Sequence, residues 1–348
     1  SWDPERPADE KRPALPPPDL TWRDAEAVTR SGIPPRAVRM YKATGVLSAD
    51  ETTGAVRPER VLARVTTADF FAMFDVPFRY GGGWKSAADT GPEPVIVLSA
   101  KMNEHFFGGA DSVGRTIRWD DREYRVIGVL EHWHPAPKFY DVNNGAFDDP
   151  EEIYIPFGWA EKLELRSAGN TNCWKPEDIQ SVADFLRSEC VWLQVWVELP
   201  DAAARERMQA FLDSYVAGER RSGRFQRPNN NRLTNVNQWL ADNEVVGNDS
   251  PLLVALAFAF LAVCLINTVG LLLAKFLGNA TVTGVRRALG ASRRQVFLQH
   301  LTEAGLLASV GAVLGVVLAG AGLWGLRIMY ASPQTGFTGL MHVNGWSF

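Results

Sequence analysis

Two stretches of the chain carry no charge. From Pro251 to Ala274 there are 24 successive residues without Asp, Glu, Lys, Arg or His, and from Ala304 to Leu326 another 23. As α-helices both exceed the roughly 30 Å hydrocarbon thickness of a bilayer. A helix packed on a soluble core keeps a charged outer stripe at the 3.6-residue period, and neither run has one. The pattern predicts spans over 251–276 and 301–328, with 277–300 as the loop between them.

Upstream, the periods are short and mixed. Thr66 or Thr67 is positioned to cap a helix bearing Phe70, Phe71, Met73 and Phe74, followed by a loop at Gly81, Gly82 and Gly83. Apolar runs predict strands over 94–99, 116–119, 124–130, 153–157 and 191–199, the third reached through an Asp120-Asp121 turn. Pro200-Asp201 opens a helix with Met208, Phe211, Leu212 and Tyr215 on one face, and Asn229 to Asn231 read as a surface loop. Interleaved strands and helices at this spacing indicate an α+β domain over 20–250. The fold class is thus an α+β extracytoplasmic domain plus transmembrane α-helices. A Pro-rich linker (1–19) precedes it and a tail (331–348) follows the spans.

Charge orients the chain. Residues 1–250 hold 30 basic and 39 acidic side chains, a net of −9, whereas Lys275, Arg286, Arg287, Arg293 and Arg294 lie together between the spans. Short loops rich in Lys and Arg stay in the cytoplasm, so the acidic domain and the tail belong outside. The overall charge of −4 describes neither side and gives no reason to expect nucleic acid as a partner. Cys173 and Cys190 fall in the outer part, where a disulfide would close a loop of about 18 residues and stabilise by roughly 3 kcal/mol. Two free buried thiols are the alternative. Cys264 lies within the first span. With no initiator Met or signal peptide before Ser1, the sequence reads as a piece of a longer chain.

Candidate chemistry is thin. GGGWKS at Gly81 to Ser86 lacks the glycine before the lysine and the strand-to-helix setting of a phosphate-binding loop, so any ATPase is expected on another chain or domain. His132 and His134 stand two apart near Glu131 and Asp141, but no third His or Cys is close, and no metal is assigned. Asp148, Asp149, Glu151 and Glu152 lack the alternating ligands of a calcium loop and read as a solvated turn. No catalytic constellation and no cofactor are assigned.

The loop between the spans is more informative. Gly290 has the position of a left-handed helix C-cap, and Ser292 with Gln295 forms a capping box that starts the next helix. The result is a helix, a tight turn and a second helix, with Arg286, Arg287, Arg293 and Arg294 about the turn. Such a basic knuckle either docks into a groove on a cytoplasmic partner or holds the loop inside by charge alone. Farther on, Gly311 and Gly315 form a GxxxG face suited to close helix approach. Asn267 and Thr268 place polar groups in the first span for bonding to neighbouring helices.

At these residues a resemblance emerges. GVRRALGASRRQ (Gly284 to Gln295), between two spans, resembles the inner loop of FtsX-like permease domains. ADFFAMFDVPFRYGGGW (Ala68 to Trp84), VIVLSAKMNEHFFGG (Val95 to Gly109) and SVGRTIRWDDREYRVIGVL (Ser112 to Leu130) resemble the MacB-like periplasmic core domain. The resemblance covers most of residues 60–330. It implies four spans in the full family, with those here as the second and third, the first and fourth lying beyond the two ends. It implies a bacterial inner-membrane permease of a MacB/FtsX-type ABC transporter, with its large domain periplasmic, working as a homodimer or pseudo-dimer. A cytoplasmic ABC ATPase partner would engage a coupling loop at Gly284, Arg286, Arg287, Ala288, Leu289, Gly290, Ser292, Arg293 and Arg294. The family usually has an acid two positions before the loop glycine, where this chain has Val282. A periplasmic adaptor is a further implied partner. The alternative is an FtsX-like regulatory membrane protein that activates a periplasmic cell-wall hydrolase.

Overall fold

The computed structural model describes residues 15–49, 56–91, 93–162, 167–226, 229–245 and 250–330. The predicted tail over 331–348 and most of the Pro-rich segment lie outside the described residues. Two compact units divide after Trp239.

The first unit is built on β1 (Ala37–Ala49), β2 (Glu59–Thr66), β3 (Phe78–Gly81), β4 (Val95–Leu98), β5 (Thr116–Trp119), β6 (Arg122–Leu130), β7 (Ile153–Pro156), β8 (Asn172–Cys173), β9 (Cys190–Val191) and β10 (Gln194–Val197). Six of these strands pair in a cycle. β1 runs antiparallel to β2, β2 parallel to β7, β7 antiparallel to β4, β4 parallel to β6, and β6 antiparallel to β5. β5 then returns to the far end of β1, through Leu47 opposite Trp119 and Ala49 opposite Ile117. β10 extends the sheet beside the start of β1, and β3 beside the end of β6.

Because β1 has apolar clusters against both faces, Met40, Tyr41, Lys42 and Ala43 are all buried in succession. Such a strand loses the period-2 signature of a half-exposed one. Neither β1 nor β2 is among the strands predicted above for that reason. The helices around the sheet are α1 (Trp22–Thr29), α2 (Asp69–Met73), α3 (Ala100–Phe107), α4 (Trp159–Lys162), α5 (Val182–Arg187), α6 (Ala202–Arg221) and α7 (Val236–Asp242). Side-chain caps begin several of them: Thr21 accepts from the Asp24 amide, Ser99 from Met102, and Asp201 from Ala204.

Three local expectations are corrected. α2 starts at Asp69 behind Ala68, which offers no side-chain cap, because Thr66 completes β2 and the Thr67 hydroxyl donates to the Ala37 carbonyl. The strand expected over 191–199 is two short strands, β9 and β10, interrupted where Trp192 turns into the core and packs edge-on against Tyr41 at 4.8 Å. Gly81 belongs to β3: its φ is +64°, and a Cβ there would collide with the Ile127 carbonyl of β6, which accepts from the Gly82 amide at 3.1 Å. The glycine run thus serves strand packing, and Trp84 after it is buried against Phe71.

The second unit contains α8 (Ser250–Gly278), α9 (Ala280–Ala288) and α10 (Arg293–Tyr330). Val254–Gly278 and Arg293–Gly325 are long and apolar enough to cross a membrane, and none of the most apolar window of either is buried. Buried soluble-core helices would have covered these side chains, so water is the wrong solvent for them. Thr268 donates to the Cys264 carbonyl of its own helix at 2.8 Å and keeps its acceptor lone pairs for a neighbouring helix.

Candidate functional site: a basic knuckle and a charged core

The segment between α8 and α10 has a defined shape. α9 ends at Ala288, the Gly290 amide donates to the Arg287 carbonyl and the Ala291 amide to that of Arg286, both at 3.1 Å, and Gly290 takes φ +102°. A side chain at that φ would be disfavoured. Ser292 and Gln295 then exchange both capping-box bonds: the Ser292 amide donates to Gln295 Oε1 at 2.9 Å, and the Gln295 amide to Ser292 Oγ at 3.3 Å.

This turn presents the predicted residues in an uneven way. Arg286 Nη1 donates to Gln299 Oε1 on α10 at 2.9 Å, which stiffens the turn. Gly284, Arg287, Ala288, Ser292, Arg293 and Arg294 are exposed, and among the described residues no acid pairs with Arg287, Arg293 or Arg294. At the apex Leu289 is 84% exposed, with Val285 and Phe297 also open. Charge alone would suffice to hold a loop in the cytoplasm; a bare leucine inside a ring of arginines serves no topological purpose. Behind the knuckle, Lys275 Nζ on α8 pairs with Glu303 on α10 at 2.5 Å, and Phe276 packs against His300 with ring centres 4.7 Å apart and the planes tilted by 60°. Gly311 and Gly315 lie on α10 with nothing within 4 Å of where a Cβ would stand.

In the outer unit the chemistry is different. Arg64 of β2 is completely buried and bonds through Nη2 to both Asp141 and Glu151, also fully buried. Around them, Lys138 Nζ lies 3.5 Å from Glu151 Oε1, the Tyr140 hydroxyl donates to Glu151 Oε2 at 3.1 Å, and Asn144 donates to Asp141 at 2.6 Å. Burial would raise the Glu151 carboxyl, but Arg64 and Lys138 hold it down at about 2. Glu152 accepts from the Leu62 amide at 2.8 Å. The acidic run is therefore not a solvated turn as expected: Glu151 and Glu152 are structural, and Asp149 is the exposed member, 3.6 Å from His134. With no solvent access and mutually neutralised charges, the Arg64 cluster is suited to fixing register rather than to proton transfer.

Asp19 is 3% exposed and accepts from Gln194 at 3.0 Å and Asn143 at 3.2 Å. Desolvation pushes its carboxyl up to about 6, and that of Asp89 also to about 6 despite bonds from the Ala68 amide and Trp84. A raised carboxyl favours the fold fully below its unfolded value near 3.8 and loses that benefit as pH rises through about 6. Glu151 acts in the opposite sense, contributing above about 4.5 and losing its contribution as pH falls towards about 2. Asp19→Asn should flatten the decline between about pH 4 and 6, read from urea midpoints across that range; an unchanged slope would contradict the assignment.

Cys173 and Cys190 are joined by a disulfide across the β8–β9 ladder, with Cα atoms 4.1 Å apart. In protein recovered without reductant, reduction should add two hydrogen atoms to the mass and release one thiol pair to alkylation. No gain would leave the alternative of free thiols.

A folded α+β domain joined to two helices long and apolar enough to cross a membrane, with a basic capped turn between them, is the architecture of a membrane protein with a large domain beside its spans. The chain belongs to the MacB/FtsX-type ABC transporter permease family: the MacB-like periplasmic core domain matches residues 4–215 and the FtsX-like permease C-terminal domain residues 254–345. It is 26% identical over 252 residues to the pyoverdine export ATP-binding/permease protein PvdT of Pseudomonas syringae pv. tomato, covering 72% of this chain and 33% of that protein. To the macrolide export ATP-binding/permease protein MacB of Neisseria meningitidis serogroup B it is 22% identical over 227 residues, covering 65% and 30%. The periplasmic region of MacB from Actinobacillus actinomycetemcomitans aligns at a TM-score of 0.40 with 12% identity, covering 62% of this chain and 81% of that one. The chain spans about a third of the length of these curated relatives.

Proposed function

We propose that this chain is the permease part of an ABC transporter in the bacterial inner membrane, coupling ATP hydrolysis on an associated nucleotide-binding chain or domain to movement of its periplasmic domain, for export or mechanotransmission. The observation that carries the reading is the exposed Leu289 within a rigid turn whose arginines have no acid partners among the described residues. That surface fits an apolar pocket with an acidic rim. Gly284, Arg286, Arg287, Ala288, Leu289, Gly290, Ser292, Arg293 and Arg294 form the coupling loop in this reading, and Val282, where the family usually has an acid, implies weaker or differently arranged docking onto the ATPase. The open Gly311 and Gly315 face supports pairing with a second permease subunit, and a periplasmic adaptor is a further partner of the outer domain. The names of the relatives, which join ATP-binding to permease, support the ATPase partner.

The test is capture. The chain in lipid nanodiscs should retain a P-loop ATPase from its own organism and raise that ATPase's turnover. Capture of a cell-wall hydrolase by the outer domain, with no ATPase retained and no turnover gained, would overturn the transport reading.

A further inference from the structure

The segment Phe139–Asn144, two short 3-10 turns meeting at a kink at Asp141, holds both the incoming and the outgoing chain of the outer domain. At its start the Phe139 carbonyl accepts from the Trp239 indole at 3.0 Å, and Trp239 is the last residue of the unit before the chain runs on to α8. At its end Asn143 donates to Asp19 at 3.2 Å, where the N-terminal segment enters the fold. Between these points the segment is bolted to the sheet: the Tyr140 carbonyl accepts from the Trp196 indole at 3.1 Å, and Asp141 pairs with Arg64. Leu20, next to Asp19, is itself bridged to Leu193 by amide-to-carbonyl bonds of 2.9 and 3.1 Å.

We infer that the segment Phe139–Asn144 is a clamp that ties the two chain ends of the outer domain together, so that displacement of one end is passed to the other and to the sheet. Asn143, Trp196 and Trp239 are positioning residues in this device, and the buried Arg64 cluster is its anchor. A domain fastened at two separate places would let one flanking segment move without the other. Fastening both within one six-residue segment, whose kink at Asp141 is held by the buried Arg64, couples them: the segment cannot follow Trp239 without loading Asn143 and the sheet. The functional use of this linkage rests on the permease reading; the linkage itself does not.

Hydrogen exchange on the full chain in nanodiscs tests it. Trp239→Phe keeps an aromatic ring of smaller size against Trp196 and removes the indole donor; Asn143→Ala removes the other contact. Trp239→Phe should speed exchange not only over 139–145 but also over 19–21, by roughly fivefold to tenfold, the factor expected from one lost hydrogen bond. Arg23→Ala, which removes the exposed pair with Glu219, should leave 139–145 unchanged. The effects of Trp239→Phe and Asn143→Ala should be non-additive. Unchanged exchange over 19–21 in Trp239→Phe, or strict additivity of the two substitutions, would overturn the clamp. If no ATPase is retained but exchange responds as described, the permease reading fails and the clamp stands. If the ATPase is retained and stimulated while exchange over 19–21 does not respond, the clamp alone fails.

Discussion

Arg64→Met is expected to destabilise the outer domain by about 3–5 kcal/mol, a large part of the 5–15 kcal/mol that holds an ordinary domain together. The substitution keeps the bulk but strips the shared cation from Asp141 and Glu151, which face each other at zero exposure. Lys138, 3.5 Å from Glu151, is left to serve both carboxylates. Their remaining route to neutrality is to bind protons, so the loss should be largest at neutral pH and shrink as the medium is acidified. Adding Asp141→Asn, Glu151→Gln and Lys138→Met to Arg64→Met should recover most of the stability, because that set leaves neither the two carboxylates nor the buried Lys138 ammonium without a partner. Urea midpoints followed by tryptophan fluorescence on the full chain read both results. A single-variant loss below about 1 kcal/mol would mean the cluster carries little of the fold.

If the proposed partner surface has an acidic rim, reversing Arg286 and Arg287 to glutamate should abolish retention of the ATPase, since it sets two negative charges against that rim and removes the Arg286 bond to Gln299. It also lowers the loop charge that orients the spans, so it cannot separate docking from topology. Leu289→Ser does: it leaves every charge in place and removes the apex side chain, which is 84% exposed in the free chain. Affinity for the ATPase should fall tenfold or more, on the order expected for an interface anchor, while a cysteine-accessibility assay reports unchanged orientation. Conservative Arg286→Lys with Arg287→Lys should retain partial binding. Full retention in both the reversed pair and Leu289→Ser would remove the knuckle from the coupling surface.

The sequence made the membrane part legible and hid much of the outer domain, for physical reasons. Uncharged runs of more than twenty residues have few soluble uses, and Gly290, Ser292 and Gln295 each report a local geometry that their neighbours settle. β1 and β2 are read poorly because partners far along the chain cover them: Lys42 and Arg64 are polar letters in fully packed strands. Nor does any local pattern announce the Arg64 cluster. Asp141 lies 77 residues away and Glu151 87 residues away, and Glu151 sits in a run that looks like any solvated acidic turn. The one available signal was Glu151-Glu152 running straight into the apolar β7, where a solvated turn should have ended sooner. Trp192 misled for a related reason: an aromatic in an alternating run suggests a continuous strand, yet its ring is the packing that breaks the strand.

The cycle of six strands bears on how the domain is made. The β1–β2 and β5–β6 ladders join neighbours in sequence, but Leu47 meets Trp119, Ala63 meets Ile153, and Ala37 meets Val197, and the other ladders of the sheet likewise join distant segments. Loop closure on that scale must precede the reward of pairing, which makes acquisition of the native state slow. β1, thirteen residues long, must wait unpaired on its second side until β5 and then β10 have emerged. During that interval the nascent domain presents a long apolar strand to other chains, and escort by a holding chaperone until residue 197 has cleared the membrane would shorten its exposure.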